Sequence, residues 1–415
     1  MRILFFADNF KPETNAPATH IYERCREWVR WGHDVTVVTT APNFPEGRVY
    51  PGYRNRLRGI ETIDGIRVVR GWTYVASNEG FARRTLDYLS YVPSAFLNAC
   101  FEDRPDVAIS SSPQLFTAVA GSSYCALRGI PHVLEVRDLW PASILATSAM
   151  KPGRVYRTLE RLELALYRRS RRILSFTESF VPDLTSRGVP RDKIDVVING
   201  ASLDSVSAQR RPRRRTRTPT GIGGTLRRRV FGDLGSGAWV GKRVARAEAT
   251  RESPITYLFV GGGALRERLE SLKAEKRLEN VLLIPRVDKA ELARYWSLCD
   301  ASLVHLKNDP LFAGVIPSKI FESMAVGLPI VYVGPPGEGD AIVRRHDAGI
   351  TLAPDRPAEL AVAIERLRTD SRLRATLAAN SLAAAPLYSR ERQARRTLNV
   401  LRRALGEQVD LDARD

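Results

Sequence analysis

Two residues three positions apart carry the most specific chemistry in this chain. In the run Pro317-Ser318-Lys319-Ile320-Phe321-Glu322, a helix opening at Ser318 places Lys319 and Glu322 on one face. An ammonium beside a helix N-terminus suits a phosphate. A carboxylate one turn on can accept two vicinal hydroxyls, as on a ribose. A surface ion pair is the plainer use of the same spacing. A second cluster, Glu135, Arg137 and Asp138, closes the run HVLEVRDLWP. Three charges at the end of a buried strand are costly unless paired or used. They either lock the loop as an Arg–carboxylate pair or touch substrate hydroxyls or a leaving group. A third run, KPETNAPATH from Lys11 to His20, has Pro12 and Pro17 bracketing a turn, with Thr14 and Asn15 able to orient backbone groups. It is an ordinary connection or an anion site at a helix start. Gly261, Gly262 and Gly263 follow an apolar run and let a ligand approach the backbone closely.

Other chemistries find no footing. His20, His33, His132, His305 and His346 are dispersed without metal-ligand spacing. HExxH, GxSxG and Walker A patterns do not occur, and no GxGxxG follows the first strand, so metal chemistry, serine hydrolysis and a nicotinamide dinucleotide are disfavoured. The four cysteines, Cys25, Cys100, Cys125 and Cys299, form no close pair. That excludes a dense disulfide framework and suits a reducing cytoplasm. The apolar start MRILFFADNF is too short for a signal peptide, and the run Thr85 to Cys100 carries Asp87 and Pro93 and falls short of a bilayer span.

The elements that must position these residues alternate. Strands are expected at Arg2–Ala7, Asp34–Thr39, Ile66–Arg70, Asp106–Ser110, His132–Val136, Arg172–Phe176 and Lys193–Val197. Helices fall between them at Thr19–Trp31, Arg83–Cys100, Leu115–Leu127, Arg154–Tyr167 and Glu178–Arg187. The strands are continuous apolar runs, as in parallel sheets covered on both faces. From Ile255 the alternation resumes. Strands are expected at Tyr257–Val260, Val281–Ile284, Ala301–Leu306, Pro329–Val333 and Ile350–Leu352. The helices are Ala264–Lys276, Lys289–Ser297, Ser318–Met324, Asp340–His346, Pro357–Asp370 and a long basic Arg390–Leu405. The fold class is α/β, two doubly wound domains in tandem with ligand bound at the carboxyl ends of the strands. The expected boundaries are 1–200, an anomalous 201–254, 255–388, a C-terminal helix over 389–406 and a frayed tail over 407–415.

These residues resemble a known family, the family-4 retaining glycosyltransferases of the GT-B fold that assemble bacterial surface polysaccharides. The likeness is carried by NAPATHIYE, WGHDVTVVTTAPNFP, IDGIRVVRGWTY, EVRDLWP, VVINGASLD, FVGGG and IPSKIFESMAVGLPIV, and is greatest to the O-antigen branch with fucosaminyl (N-acetyl-fucosamine) transferases. It spans the chain except about Val206 to Arg251. It implies transfer of a sugar, with retention, from a nucleoside-diphosphate sugar of UDP or GDP type to a polyprenyl-diphosphate-linked or glycan acceptor. The loop with Asn15, Ala16 and His20 would face the acceptor, and Glu135, Arg137 and Asp138 the reacting sugar. Gly261, Gly262, Arg286, Pro317, Ser318, Lys319 and Glu322 would hold the donor, Lys319 at the diphosphate and Glu322 at the ribose. The family's usual two glutamates stand eight positions apart. Glu322 matches the second, and the first falls at Gly314. No metal and no cofactor is implied, since cationic side chains and helix ends neutralise the leaving diphosphate. Cytoplasmic location follows, with peripheral contact at the inner membrane through Arg83, Arg84 and the apolar face of Thr85–Cys100. An amphipathic core helix is the alternative.

One segment breaks the pattern. The formal net charge is +18. Residues 210–251 hold twelve Arg and one Lys against one Asp and one Glu, a net of +11, which leaves +7 for the other 373. A basic arm for nucleic acid is one reading, and a sugar-nucleotide epimerase is an enzyme alternative to transfer. Salt-dependent DNA binding lost on deletion of the arm would mark the first, and turnover without an acceptor the second. The genetic code offers another account. Joining the last two bases of each codon to the first of the next makes Trp239-Val240 GGG, glycine. Leu226-Arg227 becomes TNC, which includes Phe, and Gly241-Lys242 becomes GNA, which includes Glu. Read through, Leu226 to Ala245 can spell FVVGYLGTLGLAHGLENVL, a buried strand, a glycine turn and the start of an amphipathic helix. That is the unit missing at this place, so two compensating indels are expected to bracket it, and no nucleic-acid partner. The stretch 206–252 should then be irregular, its slot in the sheet vacant or filled by a piece around Arg227–Phe231. Val196–Asn199 and Tyr257–Val260 should be regular buried strands beside it.

Overall fold

A computed structural model describes residues 1–75, 81–112, 114–142, 153–203, 228–233, 254–261, 266–285, 287, 289–309 and 312–413. The chain divides into two compact units, Met1–Ile198 with Arg390–Asp415, and Asn199–Ser389.

The first unit is an eight-stranded sheet with strands β1 (Arg2–Phe6), β2 (Asp34–Thr40), β3 (Arg58–Ile63), β4 (Ile66–Gly71), β5 (Val107–Ser111), β6 (His132–Val136), β7 (Arg172–Ser175) and β8 (Ile194–Val196). Their order is β3-β4-β2-β1-β5-β6-β7-β8, and every neighbour pair is parallel except β3–β4. Helices α1 (Ala16–Arg30), α2 (Phe81–Cys100), α3 (Leu115–Arg128) and α4 (Arg154–Arg169) connect them, followed by a short α5 (Val181–Ser186). Ile3 and Phe5 of β1 face Trp28 of α1, while Leu4 and Phe6 face Tyr91 and Tyr124 across the sheet. A strand covered on both faces thus takes an unbroken apolar run.

The second unit carries β9 (Arg228–Asp233), β10 (Ile255–Val260), β11 (Val281–Ile284), β12 (Ala301–His305), β13 (Ile330–Val333) and β14 (Gly349–Leu352), all parallel, in the order β11-β10-β9-β12-β13-β14. Its helices are α6 (Arg266–Glu275), α7 (Lys289–Ser297), α8 (Ser318–Val326), α9 (Glu338–Arg345), α10 (Pro357–Thr369) and α11 (Ser371–Ala384). The last helix, α12 (Arg390–Ala404), returns to the first unit, with Leu398, Val400 and Leu401 in its core. Trp28 Nε1 donates to the Ala394 carbonyl at 2.9 Å, and Arg403 meets Asp195 of β8 at 2.7 Å.

Most expected elements stand within two or three residues of their predicted ends. Four differ. The antiparallel edge strand β3 alternates half-buried and exposed residues, so it lacks the continuous apolar signal of the inner strands. Helix α11 is poor in large apolar residues. It is set by Asp370, whose side chain accepts the Leu373 N–H, and by Leu377, Ser381 and Ala384 on its buried face. The expected strand at Val196–Asn199 stops at Val196, where only the Val197 N–H still reaches the Ser175 carbonyl at 2.9 Å. The tail after Gly406, expected to fray, is tied back. Asn399 Nδ2 donates to the carbonyls of Asp410, Leu411 and Ala413 at 3.1, 3.2 and 3.1 Å.

The slot between β10 and β12 is filled by the backbone of Arg228–Asp233. Val230 lies opposite Tyr257 on one side and Ala301 on the other. The rest of the anomalous segment, 204–227 and 234–253, lies outside the described residues.

Candidate active site

In the first unit, the carboxyl ends of neighbouring strands bring polar groups together, as a parallel sheet requires. The loop after β1 is organised by Glu13, a residue the sequence reading passed over. Its buried carboxylate accepts the N–H groups of Phe10 at 3.1 Å, Asn43 at 2.9 Å and Phe44 at 2.8 Å, which pins this loop to the one after β2. Burial pushes the carboxyl above its usual range against those donors. A glutamate inside a Pro-rich loop was the available signal. Asn15 is the N-cap of α1, its Oδ1 accepting the Ala18 N–H at 3.0 Å while its Nδ2 donates to Asn9 Oδ1 at 2.9 Å. Ala16 opens the helix, and His20 is half-buried one turn on.

The cluster after β6 divides. Glu135 is fully buried, 2.5 Å from Arg24 Nη2, 2.6 Å from Arg137 Nε and 2.7 Å from the Ser111 hydroxyl. Burial works against its charge, but the two guanidinium groups and Ser111 outweigh it and hold the carboxyl below its usual range. Arg24, 2% exposed, lies over the rings of Phe5 and Trp28. Arg137 is drawn inward, its guanidinium 4.9 Å from the centre of the Phe176 ring and its backbone N–H donating to Ser112 Oγ at 3.0 Å. Glu135 and Arg137 therefore form the Arg–carboxylate pair that locks the loop, with Arg24 as a third member. Asp138 is half-buried on that locked loop. Across the ends of β1 and β5, Gln114 Nε2 reaches Asp8 Oδ1 at 3.3 Å.

In the second unit, α8 presents the Lys319–Glu322 face. Ile320, Phe321 and Met324 are buried in the packing, while Lys319 and Glu322 are both half-buried. Pro317 occupies the N-cap and provides no side-chain acceptor, so the first-turn N–H groups are not capped by a side chain. That is the arrangement an anion can complete. Ser323 Oγ bonds Ser302 Oγ of β12 at 2.7 Å and fixes the helix to the sheet. Behind it, Phe321 stacks on Tyr388 at 4.7 Å, and Tyr388 is held by His346 Nε2 at 2.9 Å. Gly261 ends β10 at φ +142°, a conformation other residues avoid, and its N–H meets the Ile284 carbonyl at 3.1 Å. Gly262 and Arg286 lie outside the described residues. Gly337 was not singled out from sequence. A Cβ there would stand 2.0 Å from the Ala313 carbonyl oxygen. Only glycine lets the loop before α9 pack against Ala313, and the Glu338 N–H then donates to that carbonyl at 3.1 Å.

Among the described residues no group of three or more His, Cys, Asp or Glu side chains is placed to hold a metal ion. No described helix is long and apolar enough to cross a membrane.

Comparison with known proteins supplies the family. Residues 15–200 match the model of the glycosyl transferase 4-like domain, and residues 238–370 that of the glycosyl transferases group 1. The chain belongs to the glycosyltransferases. It is 24% identical to a protein of Escherichia coli (strain K12) named for glycosyl transfer in colanic acid biosynthesis, over 79% of this chain and 82% of that one. Among solved structures it resembles the sucrose-phosphate synthase of Thermosynechococcus elongatus, with TM-score 0.70, 17% identity, and 98% and 99% of the two chains covered. It also resembles Anabaena HepE in complex with UDP and glucose, with TM-score 0.65, 17% identity, and 97% and 100% covered. The fold is thus GT-B, as the resemblance implied. In this glycosyltransferase the two matched domains leave residues 201–237 between them, the stretch that opens the second unit.

Proposed function

We propose that this glycosyltransferase moves a sugar, with retention, from a nucleoside-diphosphate donor to a polyprenyl-diphosphate-linked or glycan acceptor in bacterial surface-polysaccharide synthesis, at the cytoplasmic face of the membrane. The observation that carries the donor half is the N-terminus of α8, uncapped by any side chain, with Lys319 in its first turn and Glu322 one turn on. Backbone N–H groups and the ammonium would take the diphosphate, and Glu322 the ribose hydroxyls. Gly261 would allow the donor close to the end of β10. The HepE structure, which holds UDP and glucose, and the colanic acid relative support this reading. The O-antigen resemblance favours an N-acetyl-fucosamine-type donor. As the bond from the anomeric carbon to the diphosphate breaks, the acceptor oxygen bonds to the same face of that carbon. The acceptor proton passes to the leaving phosphate oxygen. Asp138 would meet the reacting groups, while Arg24, Glu135 and Arg137 hold its loop in place.

The written chain carries this function in damaged form. The central strand Arg228–Asp233 reads RRVFGD, whereas the shifted frame offers FVVGYL over the codons of Leu226 to Gly232. Two compensating frame changes bracketing 206–252 account for the arginines without a nucleic-acid partner, and they predict weak activity as written. The test is to resequence codons 203–255 and assay the frame-corrected protein with UDP- and GDP-sugars. Release of nucleoside diphosphate that requires an acceptor, with product of retained anomeric configuration by NMR, supports the proposal. Release without an acceptor would reassign the chain as an epimerase or hydrolase. An unaltered reading frame at those codons would refute the frame account.

A further inference from the structure

Two buried charges at the carboxyl edge of the first sheet act mainly on backbone. Glu13 is 1% exposed and Arg70 6%. The Glu13 carboxylate takes the N–H groups of Phe10, Asn43 and Phe44. Arg70, next to last in β4, donates through Nη1 to the Thr40 carbonyl at 2.8 Å and through Nη2 to the Lys11 carbonyl. Its Nε meets Glu61 of β3 at 2.5 Å, and its guanidinium lies 5.1 Å from the centre of the Tyr53 ring. In the order β4-β2-β1, this one arginine ties the end of β2 to the loop beyond β1. The same two connections are thus fastened by their N–H groups to Glu13 and by their carbonyls to Arg70.

Glu13 differs from the other buried acids of this unit. Glu135 and Asp195 each lie against two arginines. The polar partners of Glu13 are backbone N–H groups, and Arg70 acts on it through its field alone. Burial outweighs both and holds the carboxyl above its usual range, so at neutral pH its charge costs the fold stability. Yet two oxygens serving three donors require a carboxylate. A glutamine would turn its NH2 group toward one of the N–H groups. A charge kept at a cost to stability belongs to a place under functional demand. The loop so fastened presents Lys11 and Asn15, both half-buried. The Lys11 ammonium lies 4.9 Å over the Tyr22 ring, and the Asp8 carbonyl accepts the hydroxyls of Thr39 and Thr40 at 3.1 and 3.2 Å. A loop preorganised in this way loses little entropy when a ligand meets it.

We propose that Glu13 and Arg70 are positioning residues for the transfer, which together set loop 9–15 in the place where the acceptor is received. The proposal deepens the proposed function and rests on its acceptor meeting this loop. Steady-state transfer by the full-length chain, written and frame-corrected, tests it, with donor and acceptor varied in turn. Glu13→Gln should lower kcat/KM for the acceptor on the order of tenfold or more, with the donor KM and calorimetric UDP binding unchanged. Arg70→Lys keeps the charge but loses the fork that reaches two carbonyls, and should give the same one-sided loss. The double variant should lose no more than the worse single one, since both act on one loop. Arg67→Lys, on the same strand but bonded to Glu102, should leave both substrates' constants as they are. Amide exchange, which needs no substrate, should quicken at Phe10, Asn43 and Phe44 in Glu13→Gln and stay slow along β1. Donor and acceptor constants falling together, as from a loss of folded protein, would overturn the proposal. So would acceptor kinetics unchanged in both single variants, or unchanged exchange at the three amides. Absence of acceptor-dependent release by the unsubstituted chain in both forms would overturn the transferase reading itself, and the proposal with it.

Discussion

Strands β1 and β9 occupy equivalent places, each inside its own sheet with a parallel neighbour on both sides. β1 reads RILFF, with its one charge at the exposed first position and four buried apolar residues behind it. β9 reads RRVFGD, three charges in six residues. An inner strand of a parallel sheet has no edge at which a charge can reach water, so its sequence is narrowly constrained. Elsewhere this chain buries charges in its strands beside named partners. Glu135 of β6 has Arg24, Arg137 and Ser111, and Asp195 of β8 has Arg172 and Arg403. On the proposed frame account, β9 is a slot filled by backbone whose sequence was not selected for it.

Restoring the frame is the most direct way to break this comparison. Restoring FVVGYL over Leu226–Gly232 in place of the charged run should raise unfolding stability by about 1–4 kcal/mol, the range found when ionic groups in a protein interior are replaced by apolar residues. Urea unfolding of the written and corrected chains measures it. Equal midpoints would show that RRVFGD fits its slot as well as RILFF fits the other.

The second prediction removes a partner where partners are known. Glu135→Ala leaves Arg24 and Arg137 buried beside each other without their carboxylate. The expected loss is about 3–5 kcal/mol, read as a fall in the urea midpoint at unchanged slope. A loss below about 1 kcal/mol, the range of exposed pairs, would show that the triad does not hold the loop.

The third uses pH on the same strand. His132 is fully buried between Ser110 Oγ at 2.9 Å and Ser170 Oγ at 3.2 Å, and burial lowers its pKa to about 4. The unfolded chain takes up the proton near pH 6.5 while the folded chain refuses it until about 4. Stability is therefore intact above pH 6.5 and falls as pH drops through that window, by up to about 1.4 kcal/mol per unit for this group. In His132→Gln that part of the slope should vanish. An unchanged slope would place the titration elsewhere.

What was legible in the sequence follows from the same physics. Inner strands announce themselves because burial on both faces demands continuous apolar runs, as at Arg2–Ala7 and Tyr257–Val260. Edge strand β3 and helix α11 did not, because one meets water along its length and the other packs through alanine and serine. The residues at the carboxyl ends of the strands were visible as charges out of place. Their division of labour was not. Glu135 and Arg137 are turned inward to each other and Asp138 is not, and only the positions of Arg24 and Ser111, more than twenty residues away in the chain, decide that. Glu13 and Gly337 were missed for a similar reason. Each answers to a distant backbone, Asn43 and Phe44 in one case and Ala313 in the other.

The smallest expected effect asks whether the donor face of the second unit stands apart from β9. The pairing of β12 with β13 and of β13 with β14, and the packing of α8 through Phe321, Tyr388 and His346, involve no residue of 206–252. The donor face should therefore be intact once the frame is restored. In the corrected protein Glu322→Ala should weaken nucleotide-sugar binding by about 1–3 kcal/mol, the cost of leaving a ribose hydroxyl without its partner. It should do so at unchanged stability, since Glu322 is only half-buried. Isothermal calorimetry with UDP and with a UDP-sugar separates the outcomes. An equal loss for both ligands assigns Glu322 to the nucleotide, and a loss for the sugar nucleotide alone assigns it to the transferred sugar. Unchanged affinity for both would remove Glu322 from the donor site and leave Lys319 and the helix terminus to account for binding.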